Sequence, residues 1–150
     1  MAPVQLLAPI YASYWLFMAV EPATGERHAW EMDGLDGEGF SLFLAKLSEA
    51  YRESVNVVVI DGAGAHTSSR VVVPGNVVLL RLPPYSPELN PVERLWQAVR
   101  SRIDVNDARV RTDLAVLKSH VWSIVEALSA RALSSLTYYD YIRHALNALP

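Results

Sequence analysis

The sequence predicts an α/β fold in which a mixed sheet is covered by helices. A near-continuous apolar run at residues 55–60 has the length of a strand that is buried on both faces. An aromatic and branched stretch, a turn and a second such stretch at residues 14–32 predict a hairpin. Later segments carry apolar residues at helical spacing. At 150 residues and 51% hydrophobic, the chain is interpreted as one domain, residues 1–150.

The first half of the chain predicts two strands and a helix. Residues 14–20 form the first strand, and residues 27–32 return after a turn in which Gly25 adopts a positive φ. Residues 33–39 are interpreted as a loop because they are rich in Asp and Gly. The helix that follows ends near Arg52, and its apolar stripe is Phe40, Phe43, Leu44 and Leu47.

The second half predicts strands followed by helices. After the strand at residues 55–60, residues 71–81 supply more strand material, with 77–80 as its clearest part. A proline-rich loop leads into a helix at residues 91–103. A second helix carries the stripe Leu114, Leu117, Val121, Val125 and Leu128. The pattern Thr137-x-x-Asp140 predicts that a capping box opens a third helix.

Composition limits the kinds of site that the chain can hold. A net charge of −3 argues against a free-standing DNA-binding module, which is normally basic. The arginines of residues 94–111 are interrupted by Asp104 and Asp107, so this stretch is interpreted as a solvated helix face and loop. Without cysteine there is no disulfide and no thiolate site, so any metal must bind carboxylates, histidines or backbone oxygens.

The uncharged stretch at residues 1–20 is long enough to be a candidate membrane segment. Prolines and polar residues interrupt it, and no basic stretch or cleavage-site pattern accompanies it. We expect a soluble, cytoplasmic protein without a membrane partner.

Asp61 ends the predicted strand at residues 55–60 and has two interpretations. Asp61-Gly62 is an ordinary turn sequence. Open α/β sheets also place their sites at the carboxyl ends of strands, where a carboxylate is well placed to bind a metal.

Glu93 also has a structural and a functional interpretation. With Asn90 as N-cap and Pro91 at the first helical position, Glu93 completes a capping box. Capping does not explain the prolines of the preceding loop, Pro83, Pro84 and Pro87, which fix where the helix begins and so where its carboxylate lies.

Together, Asp61 and Glu93 predict catalytic metal ligands for phosphoryl transfer, with Mg²⁺ or Mn²⁺ as the ion that suits carboxylate oxygens. His66 lies five residues beyond Asp61 and is a further candidate. The other histidines, His28, His120 and His144, are interpreted as structural, and the tyrosines Tyr138, Tyr139 and Tyr141 as core or interface residues.

Three stretches resemble the catalytic domain of DDE transposases, in the branch of mariner-like elements and bacterial insertion sequences. They are YWLFMAVEPATGE, VVVIDGAGAH and LPPYSPELNPVERLW, and the last is the most specific. The resemblance implies a ribonuclease H-like fold and a two-metal site that cuts transposon ends and joins them to target DNA. It implies that Asp61 is the second metal-binding acid and Glu93 the third. It also implies DNA as partner, with a homodimer or a transposase partner chain.

The sequence departs from that family at three points. Gly62 stands where Asn is usual, and Asp61 and Glu93 are a few residues closer together than is typical. The family's first catalytic aspartate lies on a strand before the hairpin, so we expect this chain to lack its first strand. Asp33 and Asp36 follow the hairpin and cannot substitute.

Three interpretations therefore stay open. The chain can be part of a working transposase whose first strand is supplied by another segment. It can be a catalytically inactive remnant that acts as an interaction module. It can also be a metal-dependent nuclease in which Glu21 completes the site.

Overall fold

The computed structural model describes residues 14–62 and 69–148. Strands and one helix alternate in the first part, and helices alone make up the second. In chain order the elements are β1 (Trp15–Val20), β2 (Arg27–Met32), α1 (Gly37–Ala50), β3 (Asn56–Ile60), β4 (Val77–Arg81), a 3₁₀ turn (Pro87–Leu89), α2 (Val92–Ser101), α3 (Ala108–Thr112), α4 (Leu114–Ala127), α5 (Ala130–Thr137) and α6 (Asp140–Asn147).

Two small sheets carry the two kinds of strand pairing. β1 and β2 are antiparallel, with Trp15 opposite Met32 and Val20 opposite Arg27. β3 and β4 are parallel, with Asn56 beside Val77. Within residues 14–62 and 69–148 no strand pairing joins the two sheets. The α/β class is confirmed, but the described strands form two sheets instead of the single mixed sheet that we predicted.

Helix α1 packs against both sheets. Phe40 and Phe43 make edge-to-face contacts with Phe17 of β1, at centroid distances of 6.4 and 5.6 Å. The same buried cluster contains Ile60 of β3 and Val77 of β4. The four strands therefore share one helical layer.

A second cluster joins the hairpin to the later helices. Met18 of β1 packs with Leu95 and Val99 of α2, and with buried residues of α4 and α5. Arg27 of β2 strengthens this contact because its guanidinium donates to Leu128 O at 2.6 Å and to Glu126 O at 3.0 Å, where α4 ends. None of the described helices is long and apolar enough to cross a membrane.

Two asparagines fix the parallel pair to the end of α1. The Asn76 carboxamide donates to Ser48 O at 3.3 Å and to Tyr51 O at 3.2 Å. The Asn56 carboxamide also donates to Tyr51 O, at 3.2 Å. The backbone N–H of Asn56 donates to Asn76 O at 2.7 Å. These bonds satisfy carbonyls that a helix end leaves open, and they place the amino ends of β3 and β4 beside the carboxyl end of α1.

The loop predicted at residues 33–39 is too long. Helix α1 begins at Gly37, because the Asp36 carboxylate accepts a hydrogen bond from Gly39 N at 2.7 Å and caps the helix. A Cβ on Gly39 would lie 2.7 Å from Gly34 O, so glycine serves close packing here.

Two further predictions are wrong. Residues 71–73 are not a strand, and Val72 N donates instead to Ser41 Oγ at 2.9 Å. Thr137 does not open the last helix but ends α5, where it is buried and its hydroxyl donates to Leu133 O at 2.7 Å. Helix α3 and the separate helix α5, which Ser129 caps, were not predicted.

The hairpin turn contacts the start of α5 so closely that Gly25 has no room for a side chain. Its φ is +74°, and a Cβ would lie 1.8 Å from Ala130 O. We expect Gly25→Ala to lower the free energy of unfolding by about 2–4 kcal/mol in urea titrations, through backbone strain and overpacking. Gly75→Ala is the matched control, because a Cβ there meets nothing within 4 Å. Equal stability of the two variants would contradict this packing.

Glu31 of β2 is the acceptor in a polar contact between the hairpin and α4. Lys118 Nζ lies 2.6 Å from one carboxylate oxygen, and Trp122 Nε1 donates to the other at 2.9 Å. The hydrogen bonds from Lys118 and Trp122 lower the pKa of Glu31. Burial and the nearby Glu31 charge raise the pKa of Tyr14 to about 12.

Because the folded pKa of Glu31 is lowered, its stabilising effect is present above its ordinary pKa of 4.5 and is lost as pH falls through the folded value. We expect Glu31→Gln to cost about 1 kcal/mol at neutral pH and much less in acid. Urea unfolding at both pH values measures this, with the exposed Glu53→Gln as control. A cost that does not change with pH would exclude the charged contact as its cause.

Candidate metal centre

Asp61 lies where the sequence placed it, immediately after β3 at the carboxyl end of the parallel pair. Asp61 is half-buried. The backbone hydrogen bonding between β3 and β4 continues one residue beyond β4, because Leu82 N donates to Ile60 O at 2.8 Å. The proline-rich loop therefore leaves the sheet beside Asp61, because β3 and β4 run in the same direction.

Glu93 lies in the first turn of α2, at the far end of that loop. Asn90 holds the helix start: its carboxamide oxygen accepts from Val92 N at 3.2 Å, and its carbonyl accepts from Glu93 N at 3.2 Å. The Asn90 half of the predicted cap is present, although α2 is assigned from Val92. Within the described chain, the half-buried Glu93 carboxylate makes no hydrogen bond or ion pair, so it does not close a capping box.

Tyr85 interrupts the proline-rich loop with a left-handed backbone. Its φ is +58°, which is rare for a bulky residue, and its side chain is 100% exposed. Such a conformation costs about 1–2 kcal/mol and persists only where the surrounding chain imposes it. The backbone of the loop is therefore strained at Tyr85.

The described residues do not form a complete set of metal ligands. All sixteen acidic residues of the chain lie within residues 14–62 and 69–148. Among those residues no group of three or more His, Asp or Glu side chains is close enough to hold a metal. Asp61 follows the carboxyl end of β3, and Glu93 lies on the helix reached through the loop that leaves the end of β4.

Glu21 does not complete the Asp61 site in this structure. Its charge and that of Glu26 raise the pKa of Tyr51, after the larger effect of burial, so both acids lie near Tyr51. Tyr51 ends α1 and accepts a hydrogen bond from Asn56, the first residue of β3. Glu21 therefore lies toward the amino end of β3, whereas Asp61 follows its carboxyl end. Its carboxylate instead accepts from Thr24 Oγ1 at 2.6 Å.

The histidines divide into one outside the described residues and three within them. His66 lies outside the described residues. His28 packs against Phe43 and Tyr51, and burial, with the charge of Lys46, lowers its pKa. His120 Nε2 accepts from Asp104 N at 3.0 Å, and His144 is exposed on α6.

The region of residues 94–111 is less uniform than the solvated face that we predicted. Arg109 pairs with Asp107 at 2.9 Å, and Arg102 donates to Ala98 O at 2.8 Å. Arg94 instead lies over the ring of Tyr139, at 4.6 Å from its centroid. Sequence spacing gave no signal for this contact, because Tyr139 belongs to a distant helix start.

The tyrosines near α6 also fix the position of the loop before α2. Tyr141 Oη donates to Leu89 O at 2.7 Å, and its ring meets that of Tyr139 edge-on at 6.2 Å. Burial, and to a smaller extent Tyr139, raises the pKa of Tyr141. Together with Arg94 these residues line an open cleft of about 360 Å³.

The structure separates the two interpretations of Glu93 by their effects on stability. We expect Asn90→Ala to lower the free energy of unfolding by about 1 kcal/mol, because it removes the cap. Glu93→Gln removes only a favourable charge near the helix start, so it should cost at most about 0.5 kcal/mol. Urea unfolding of both variants measures the difference. A cost for Glu93→Gln as large as that for Asn90→Ala would show that the carboxylate caps the helix.

Comparison with known proteins identifies the family of the chain. Residues 10–114 match the DDE superfamily endonuclease model, and this span includes both Asp61 and Glu93. The chain is also 37% identical over 87 residues to the uncharacterized protein y4pE/y4sA of Sinorhizobium fredii. That alignment covers 57% of this chain and 64% of the relative's length. The match over most of the chain shows that this protein belongs to the DDE superfamily endonucleases.

Proposed function

We propose that this chain supplies two metal-binding acids, Asp61 and Glu93, to a DDE transposase catalytic domain that cuts DNA and joins the freed end to a target. The parallel pairing of β3 with β4 carries the proposal, because it directs Asp61 and the loop to Glu93 toward one edge. A relation to DDE endonucleases supports the reaction class.

The donor set suits a divalent cation. Carboxylate oxygens are hard ligands of the kind that Mg²⁺ and Mn²⁺ prefer, and enzymes of this family typically use divalent metals. Glu93 is half-buried with no hydrogen-bond partner for its carboxylate in the described chain, and a ligand needs this availability. When bound, the metal would activate the attacking oxygen and stabilise the leaving one.

The protein's own residues position the two acids. Asn90 holds the start of α2, so Glu93 is presented from the first helical turn. The bond from Tyr141 to Leu89 holds the loop that precedes it. β3 presents Asp61 from a strand end that Leu82 continues to pair with. A site on such fixed elements keeps its geometry better than one on a free loop.

A third carboxylate would come from an additional strand between the two sheets. Among the described residues, β1 and β3 each pair along one edge only, although α1 covers both sheets. A strand in that gap would be ribonuclease H-like, would lie next to Asp61, and would turn two marginal sheets into one. We propose that a further segment of polypeptide supplies this strand.

Mn²⁺ binding to the purified chain, followed by electron paramagnetic resonance, tests the two-acid site. We expect Asp61→Asn and Glu93→Gln each to weaken binding by about tenfold or more. Glu88→Gln is the matched control, because Glu88 is an exposed acid in the same loop. Unchanged binding in either site variant would refute its role as a ligand.

Nicking of supercoiled plasmid tests the third ligand in the same preparations. A synthetic peptide with the sequence of a β-strand that ends in Asp stands for the proposed additional strand. We expect Mn²⁺-dependent nicking when this peptide is added, and no nicking with the same peptide ending in Asn. Nicking without peptide that disappears in His66→Ala would instead assign the third ligand to His66.

A second candidate function is that of a non-catalytic interaction module. The period of a strand puts Val57, Val78 and Leu80 on the face of the parallel pair opposite α1, and they are 62%, 51% and 55% exposed. An apolar face of this kind is typical of a contact with another protein. If the protein is only an interaction module, the unmodified chain and the Asp61→Asn variant should bind Mn²⁺ equally weakly.

A further inference from the structure

The cleft beside the start of α2 has the features of a nucleic-acid strand site. Its lining is Arg94, Ser135, Tyr138, Tyr139, Asp140 and Tyr141, and its volume is about 360 Å³. Arg94 immediately follows Glu93, and Tyr141 contacts Leu89 in the loop before α2. The cleft therefore adjoins the candidate metal ligand without including it.

Arg94 is the cation of this cleft. It is exposed, and in the described ranges no carboxylate forms an ion pair with it. The ring of Tyr139 lies 4.6 Å from its guanidinium carbon, a distance at which a cation and an aromatic ring attract each other. Stacking holds the guanidinium in place while its N–H donors stay available, and a planar fork of donors suits a phosphate.

The other charges of the cleft do not oppose an anion strongly. Asp140 is the acid in the lining, and its carboxylate pairs with Arg143 at 2.5 Å. Arg94 lies in the first turn of α2, whose open N–H groups add positive potential at that end. Arg94 thus carries the positive charge of the lining that no described carboxylate pairs with, and it lies next to the carboxylate of Glu93.

Aromatic surface is the second requirement of a strand site, and three tyrosines of the lining supply it. Tyr138 and Tyr139 are half-buried and Tyr141 is 40% exposed, so their rings are held by packing yet reach solvent. Tyr85, in the loop before α2, is entirely exposed on a strained backbone. Bases stack on such rings regardless of their sequence.

We propose that Arg94 and the tyrosines around it bind a single strand of DNA, with a backbone phosphate on Arg94 and a base on a tyrosine ring. The inference rests on the proposed function for its choice of DNA, and it adds a contact for the strand beside Glu93.

Fluorescence anisotropy with a short labelled single-stranded oligonucleotide, in the absence of divalent metal, tests the site in the full chain. We expect Arg94→Ala to weaken binding about tenfold and to reduce its salt dependence. Arg94→Lys keeps the charge but loses the planar stacked fork, so it should bind between the two. Arg109→Ala is the matched control, because Asp107 already neutralises that exposed arginine.

Binding that Arg94→Ala leaves unchanged, or that Arg109→Ala weakens equally, would overturn the proposal. Inorganic phosphate is a second probe, and its binding is followed by quenching of tyrosine fluorescence. If phosphate displaces the oligonucleotide at the same concentration at which it quenches this fluorescence, the cleft binds anions in general and the proposal is overturned. Asp61→Asn and Glu93→Gln separate the two hypotheses. Strand binding that depends on Arg94, without Mn²⁺ binding at the acids, would refute only the proposed reaction.

Discussion

Packing of α1 on four strands is the interaction on which the rest of the structure depends. A two-stranded sheet is at best marginally stable alone, and this protein has two of them among its described residues. Phe40 and Phe43 hold one sheet through Phe17, while Leu44 belongs to the same cluster as Ile60 and Val77 of the other. Asn56 and Asn76 then bind the end of the helix and fix its direction relative to the parallel strands.

That direction decides which acids can act together. The carboxyl end of α1 lies at the amino end of β3, so Glu21 and Glu26, near Tyr51, are at the end opposite to Asp61. The loop to Glu93 leaves from the end of β4, which is parallel to β3. These directions place Asp61 at the end of β3 from which the loop to Glu93 departs, and they place Glu21 toward the opposite end.

The sequence predicted the elements whose signals are local. The strand Arg27–Met32 and the helix stripe ending at Leu128 match the structure, because alternation and helical spacing report burial directly. Thr137 misled because a capping pattern does not show that its hydroxyl bonds backward to Leu133. The glycines at residues 37 and 39 suggested a loop, but Asp36 caps a helix there. The sequence of a single strand does not determine which other strand it pairs with, so the division into two sheets could not be predicted.

The candidate site shows the same division between local and distant information. Strand ends and proline spacing indicated Asp61 and Glu93, whereas the stacking of Arg94 on Tyr139 depends on where α6 begins. The loop between β4 and α2 has a local proline pattern that the sequence shows and a strained residue, Tyr85, that only the structure shows. Tyr85 costs about 1–2 kcal/mol through its backbone, a cost that nothing in the packing of its fully exposed ring offsets. A loop optimised for stability alone would place Gly or Asn there. Both the strained Tyr85 and the Asn90 cap thus lie in the segment that leads to Glu93, and neither serves the packing of the core.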